Sequence, residues 1–222
     1  GNRGKRSHSE WMELRTQPFT AQSARWPAQG RHILAQFDTE HIVVYQAYRP
    51  EIASYTVKNG RFGGGFSFSR MSWIKPNFLW MMYRSGWASK DGQEHVLALT
   101  IPRVHFDALL RDAVASSASA APHLTTETWR TAVAMSDVRL QWDPDHAPDG
   151  RPVARRALQL GLRGETLRRF SDEWLVHVED ITPFVTEQRQ HIYHPEHLLM
   201  PAEQVYAVND PDVIRRIGLA GA

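Results

Sequence analysis

Aromatic rings and cations crowd into residues 61–87. This stretch holds Trp73, Trp80 and Trp87, together with Phe62, Phe66, Phe68, Phe78 and Tyr83. Among them stand Ser67, Ser69, Arg70, Ser72, Lys75, Asn77 and Arg84. Indole and phenol rings can stack a base, and guanidinium, ammonium and amide donors can grip a phosphate. The same composition would also serve an aromatic core strand and helix that carry surface charges. The triplet Gly63-Gly64-Gly65 is not followed by Gly-Lys-Ser or Gly-Lys-Thr, so it is no Walker loop. It signals a backbone bend or a close approach.

Carboxylates for acid–base work are best placed at strand starts, where a rigid strand can aim them into a cleft. Glu173 and Glu203 each stand at the start of an expected strand. The neighbours Glu179 and Asp180 would point to opposite faces of an extended strand and make a poor dyad. His191, His194 and His197 recur every third residue, but Pro195 breaks any helix that would gather them. Asp143, Asp145 and His146 are metal-ligand types, and Asp-Pro-Asp accounts for them as a turn. His177 falls inside an expected strand and reads as a hydrogen-bonded, half-buried residue. No metal is expected. The Gly-x-Ser-x-Gly elbow is absent. Cysteine is absent too, which excludes disulfides, thiolate catalysis, zinc–thiolate sites and iron–sulfur clusters.

The 222 residues, 42% of them hydrophobic and 23% charged, suffice for one large domain with a real core. No apolar run approaches a membrane span. The polar, basic N-terminus lacks the hydrophobic region of a signal peptide, so a cytoplasmic protein is the expectation. The net charge is only +2. The basic excess sits in residues 1–31, where Arg3, Lys5, Arg6, Arg15, Arg25 and Arg31 face Glu10 and Glu13. Such an arm suits phosphate or an acidic partner, whereas the body is not that of a charge-dominated nucleic-acid binder.

Residues 1–30 read as a basic lead-in anchored by Trp11, Leu14 and Phe19, and residues 31–222 as a single domain. Residues 41–48, apolar on both faces, predict a central strand. Pro50 and Asn59-Gly60 bracket a helix over 50–59. A short strand is expected at 66–69, a helix from Pro76 to Tyr83, a strand at 95–101 and a helix at 105–115. Residues 115–123 form a Ser/Ala-rich loop. Alternation at 138–142 and 158–162 around a turn-rich segment predicts a hairpin. A short helix at 165–171, a strand at 174–178, a helix from Pro183 and a strand at 204–208 complete a mixed α+β domain.

Segments 43–50, 62–87, 140–146 and 159–163 resemble the bacterial and fungal "domain of unknown function 4291" family over about residues 10–219. The order of elements is also similar to that of the ADP-ribosyltransferase-like superfamily. That resemblance implies a split-sheet α+β core that takes NAD as substrate without a metal. It implies transfer of ADP-ribose to a macromolecule, nucleic acid or protein. Gln46 stands where one subclass carries His, with Arg49 near enough for the arginine type. Gln46, Tyr48 and Arg49 on the first strand, and Ser67 and Ser69 after it, would contact the cofactor. Trp73, Trp80 and Tyr83 would stack, and Arg49, Arg70, Lys75 and Arg84 would meet phosphates. Glu173 would be the catalytic carboxylate, with Glu203 its rival. Such a carboxylate would steady the oxocarbenium-like charge that develops as the nicotinamide leaves. The alternative is a non-enzymatic nucleotide- or nucleic-acid-binding module on the same fold.

Overall fold

A computed structural model describes residues 13–219. Arg3, Lys5 and Arg6 of the expected basic arm, and the anchor Trp11, lie outside the described residues. The chain opens with β1 (Thr16–Pro18), α1 (Phe19–Ser23), β2 (Gly30–Arg31) and β3 (Leu34–Ala35). It continues through β4 (His41–Tyr48), α2 (Pro50–Asn59), β5 (Ser72–Ile74) and α3 (Phe78–Ser85). Next come β6 (His95–Pro102), α4 (Arg103–Asp112), β7 (Val114–Ala115) and α5 (Thr126–Met135). The long hairpin β8 (Val138–His146) and β9 (Pro152–Leu162) follows, then α6 (Gly164–Arg169) and β10 (His177–Asp180). The chain ends with α7 (Thr182–Arg189), β11 (Leu199–Pro201), β12 (Gln204–Val205) and α8 (Pro211–Ile217). The fold is a mixed α+β domain.

Two sheets organise it. The smaller has the order β10-β6-β4, all antiparallel; the larger runs β2-β9-β8-β7, with β5 also paired to β9. Just after β5 the chain meets the free edge of β4. There Tyr45 N donates to Lys75 O at 2.7 Å and Lys75 N to Tyr45 O at 3.2 Å. This crossing joins the two sheets at the residues that the site uses.

The two-faced apolarity of residues 41–48 has a direct cause. Side chains alternate across a strand. Ile42 and Val44 enter one hydrophobic cluster with Leu97, Leu99, Leu140 and Leu160. Val43 and Tyr45 enter a second with Val96, Phe78, Met81 and Val185. β4 borders the β10-β6-β4 sheet rather than lying at its centre, and is nonetheless buried on both faces. In the hairpin, Val138, Leu140, Leu158, Leu160 and Leu162 fill the first cluster. The alternate positions Gln141, Asp143 and Gln159 therefore share the opposite face, with Gln141 directly across from Gln159.

Helix ends obey their local chemistry. α2 begins with Pro50 in its first turn and ends at Gly60, φ +66°. α3 is capped by Asn77, whose side chain accepts from Trp80 N at 2.9 Å, and ends at Gly86, φ +59°.

Three expectations need correction. Residues 66–69 form no strand; Phe66 stacks on Phe62 at 4.5 Å and touches Phe68 edge-on, which folds this segment into a turn, and pairing begins at Ser72. The strand expected to begin near Glu173 is helical over Phe170–Trp174, and β10 starts at His177. Phe170 and Trp174 both enter the core and their rings meet edge-on at 6.4 Å, a contact across four residues that a helical turn allows and an extended strand, about 13 Å long over that spacing, does not. The Asp-Pro-Asp segment continues β8 instead of turning; the reversal comes at residues 147–151, where Ala147 N donates to Arg151 O at 2.8 Å.

The glycine triplet is explained by close approach. A Cβ on Gly64 would sit 2.5 Å from the carbonyl oxygen of Glu51, and its φ is +65°. Gly64→Ala is therefore expected to cost about 1–3 kcal/mol. The cost will appear as a lower urea midpoint with an unchanged slope. An unaltered midpoint would mean that this loop does not pack on α2.

Candidate functional site

The cleft lies where the two sheets meet, with a volume of about 880 Å³. The end of β4 supplies Gln46, Tyr48 and Arg49, and the loop after α2 supplies Ser67, Ser69 and Arg70. Trp73 and Lys75 come from β5 and the crossing, Arg84 from α3, and Gln141 and Gln159 from the hairpin. Arg49, Arg70, Lys75 and Arg84 are its cations, and no carboxylate lines it among the described residues.

Gln46 is 3% exposed. Its Nε2 donates to Ser72 Oγ at 2.6 Å and to Trp73 O at 2.9 Å. A carbonyl only accepts, so the amide orientation is fixed. Its Oε1 is buried without a protein partner. The Tyr48 hydroxyl shares a 3.0 Å hydrogen bond with Ser72 Oγ, and burial pushes the phenol above its ordinary range.

Lys75 is 5% exposed, and its backbone is tied to β4. Its ammonium has no carboxylate partner among the described residues. Burial, and then the Arg84 guanidinium, lower it to about 8, while Asp143 pulls the other way. The Asp143 carboxylate is itself occupied: it accepts from Gln141 Nε2 and from Gln159 Nε2, both at 2.8 Å. Trp73 lies across the position of Gly161, where a Cβ would come 3.0 Å from the indole and 2.5 Å from Met71 Sδ. The missing side chain is what lets the ring lie down on β9.

Arg49 reaches back to the glycine loop, with Nη2 donating to Gly65 O at 3.4 Å, and lies 3.4 Å from Glu51. Ser67 and Ser69 share a hydrogen bond of 2.9 Å on the exposed rim.

Four of the expected residues fall elsewhere. On α3, Met81 and Arg84 face the cleft, so Trp80 and Tyr83 are carried to the neighbouring face. There they stack with His146, and the Tyr83 and His146 rings lie 3.5 Å apart. Glu173 is outside the cleft, its side chain 60% exposed and 3.3 Å from Arg169. Glu203 is buried against the start of α3, its Oε2 accepting from Phe78 N at 3.0 Å, and it borders a separate cavity of about 650 Å³. Asp145 is also structural, paired with Arg155 at 2.9 Å.

Gln141 and Gln159 are the site residues that sequence reasoning missed, and Asp143 entered it only as a metal-ligand type in an expected turn. Their signal was present: two glutamines at matching polar positions of strands whose other face is apolar.

Among the described residues no helix is long and apolar enough to cross a membrane. None of their His, Asp and Glu side chains form a group of three or more that could hold a metal ion. No curated protein matches the chain. The family described as Domain of unknown function (DUF4291) matches residues 32–206, which include every residue that lines the cleft and all strands of its two sheets except β2, and the chain belongs to that family.

Proposed function

We propose that the cleft binds a nucleotide phosphate of the NAD class, with the pyrophosphate among Arg70, Lys75 and Arg84 and a planar ring against Trp73. One observation carries this reading: four cations and a half-buried indole line one cleft that no carboxylate lines, and among the described residues only Arg49 of the four is ion-paired, to Glu51 outside the cleft. Arg70 and Arg84 have no ion-pair partner among the described residues, and the Lys75 ammonium has been taken out of water without one. A phosphate supplies the missing counter-charge, and charge-assisted hydrogen bonds make it bind well.

ADP-ribose transfer to a macromolecule is a second reading, although neither residues 66–69 nor Glu173 lies on the strand that the resemblance in element order implies. Departure of nicotinamide leaves positive charge on the ribose, which a carboxylate must steady. Asp143 is the carboxylate hydrogen-bonded to the cleft wall, whereas Glu173 lies outside it. Transfer through this cleft would depend on Asp143.

Titration of intrinsic tryptophan fluorescence with NAD tests the binding reading. Arg70→Ala and Arg84→Ala are each expected to weaken binding about tenfold, and wild-type affinity should fall as salt rises. Unchanged affinity in both variants would remove the phosphate from this cleft. Nicotinamide release abolished in Asp143→Asn but kept in Glu173→Gln would support transfer.

A further inference from the structure

Gln141 and Gln159 stand opposite each other on β8 and β9, and each donates its Nε2 to Asp143. A carboxylate is acceptor-only, so each amide must turn its nitrogen toward Asp143 and its oxygen away. Both glutamines line the cleft, and neither Oε1 has a protein partner among the described residues. Gln46 adds a third carbonyl oxygen, buried and unpaired. Of the three, the Gln46 oxygen is the one out of reach of water, and an orphaned buried acceptor is rare in folded proteins and calls for a donor from outside the chain.

We infer that Asp143 is a positioning residue, which holds Gln141 and Gln159 so that their amide oxygens, with that of Gln46, form a receptor for the vicinal hydroxyls of a ribose phosphate. This inference rests on the nucleotide reading and names the part of the ligand that the cations do not hold. The same cleft carries donors, namely the Lys75 ammonium and the Tyr48–Ser72 hydroxyl pair. A hydroxyl both donates and accepts, so a diol satisfies glutamine oxygens and these donors together. A primary amide's NH₂ only donates and would leave the donors unanswered. An ammonium is disfavoured by four neighbouring cations.

The test compares AMP with its 2′,3′-dideoxy analogue by calorimetry, using wild type, Asp143→Asn and Gln159→Leu. Wild type is expected to prefer AMP about tenfold or more. In Asp143→Asn the new amide offers one acceptor and one donor. One glutamine must therefore flip and present N–H to the cleft. The preference should shrink to about twofold or less while the dideoxy analogue still binds, which loss of structure would not produce. Gln159→Leu should lose the preference in part without relying on Asp143. Equal binding of both nucleotides to wild type would overturn the diol receptor and leave the nucleotide reading intact. Full preference retained in Asp143→Asn would overturn its positioning role. Failure of both nucleotides to bind would overturn the nucleotide reading and this inference with it.

Discussion

Lys75→Met is expected to make the protein more stable and to remove most of its affinity for nucleotide. The folded chain holds this ammonium in a buried position, where its pKa falls from 10.5 to about 8. Between those values the unfolded chain keeps a proton that the folded chain has released. Stability therefore rises as pH climbs from about 8 to 10.5, and below 8 the whole penalty is present. That penalty is on the order of 3 kcal/mol. Methionine keeps the aliphatic stem without the charge, so a gain of about 2–3 kcal/mol is expected at pH 7, vanishing above pH 10.5. Urea unfolding at both pH values checks it. Nucleotide affinity of wild type should likewise fall above about pH 8, as Lys75 loses its charge. A destabilised Lys75→Met at neutral pH would show that the ammonium is satisfied within the fold and is not held for a ligand. Binding sites that cost stability in this way are common where function opposes the local rules of packing.

Glu203→Gln and Glu203→Ala should separate by about 2 kcal/mol. Burial drives the Glu203 carboxyl well above its ordinary 4.5, with Phe78 N–H opposing the shift, Asp145 adding to it, and Arg155 opposing it more weakly. The folded chain thus holds a proton that the unfolded chain releases. Protonated Glu203 contributes its stability in full below about 4.5, and that contribution is lost as pH rises toward the folded value. Glutamine imitates the neutral acid and still accepts from Phe78 N, so Glu203→Gln should match wild type near pH 4 and exceed it at pH 8. Alanine leaves the buried Phe78 N–H without a partner and should be less stable than glutamine at every pH. Identical pH profiles for wild type and Glu203→Gln would place the Glu203 charge in solvent.

Local chemistry made much of the frame legible. Pro50 and Gly60 bracket α2 because each fits one helix end and not the middle, and the alternation of 138–142 and 158–162 marked the hairpin. Tertiary packing decided the rest. Residues 66–69 look like a strand by composition, yet Phe62 and Phe66 must stack, and a turn does that. Residues 174–178 look like a strand by composition, but Phe170 and Trp174 dock together and pull Glu173 into a helical turn facing solvent. Within the site, the first strand, the serine loop, Trp73, Lys75 and Arg84 share one cleft although they span many residues of chain. Trp80 and Tyr83 missed it by one step of helix rotation, which composition does not encode. The partnership of Gln141, Gln159 and Asp143 needs the register of β8 on β9, and no local pattern fixes that register to the residue.

Equilibrium dialysis of the wild-type protein with NAD, at low and at physiological salt, tests the central claim most directly. Saturable binding that weakens with salt, that inorganic pyrophosphate and AMP displace, and that Lys75→Met lacks is the predicted result. No saturable binding up to millimolar NAD, with NAD and AMP alike leaving the melting temperature unmoved, would contradict it.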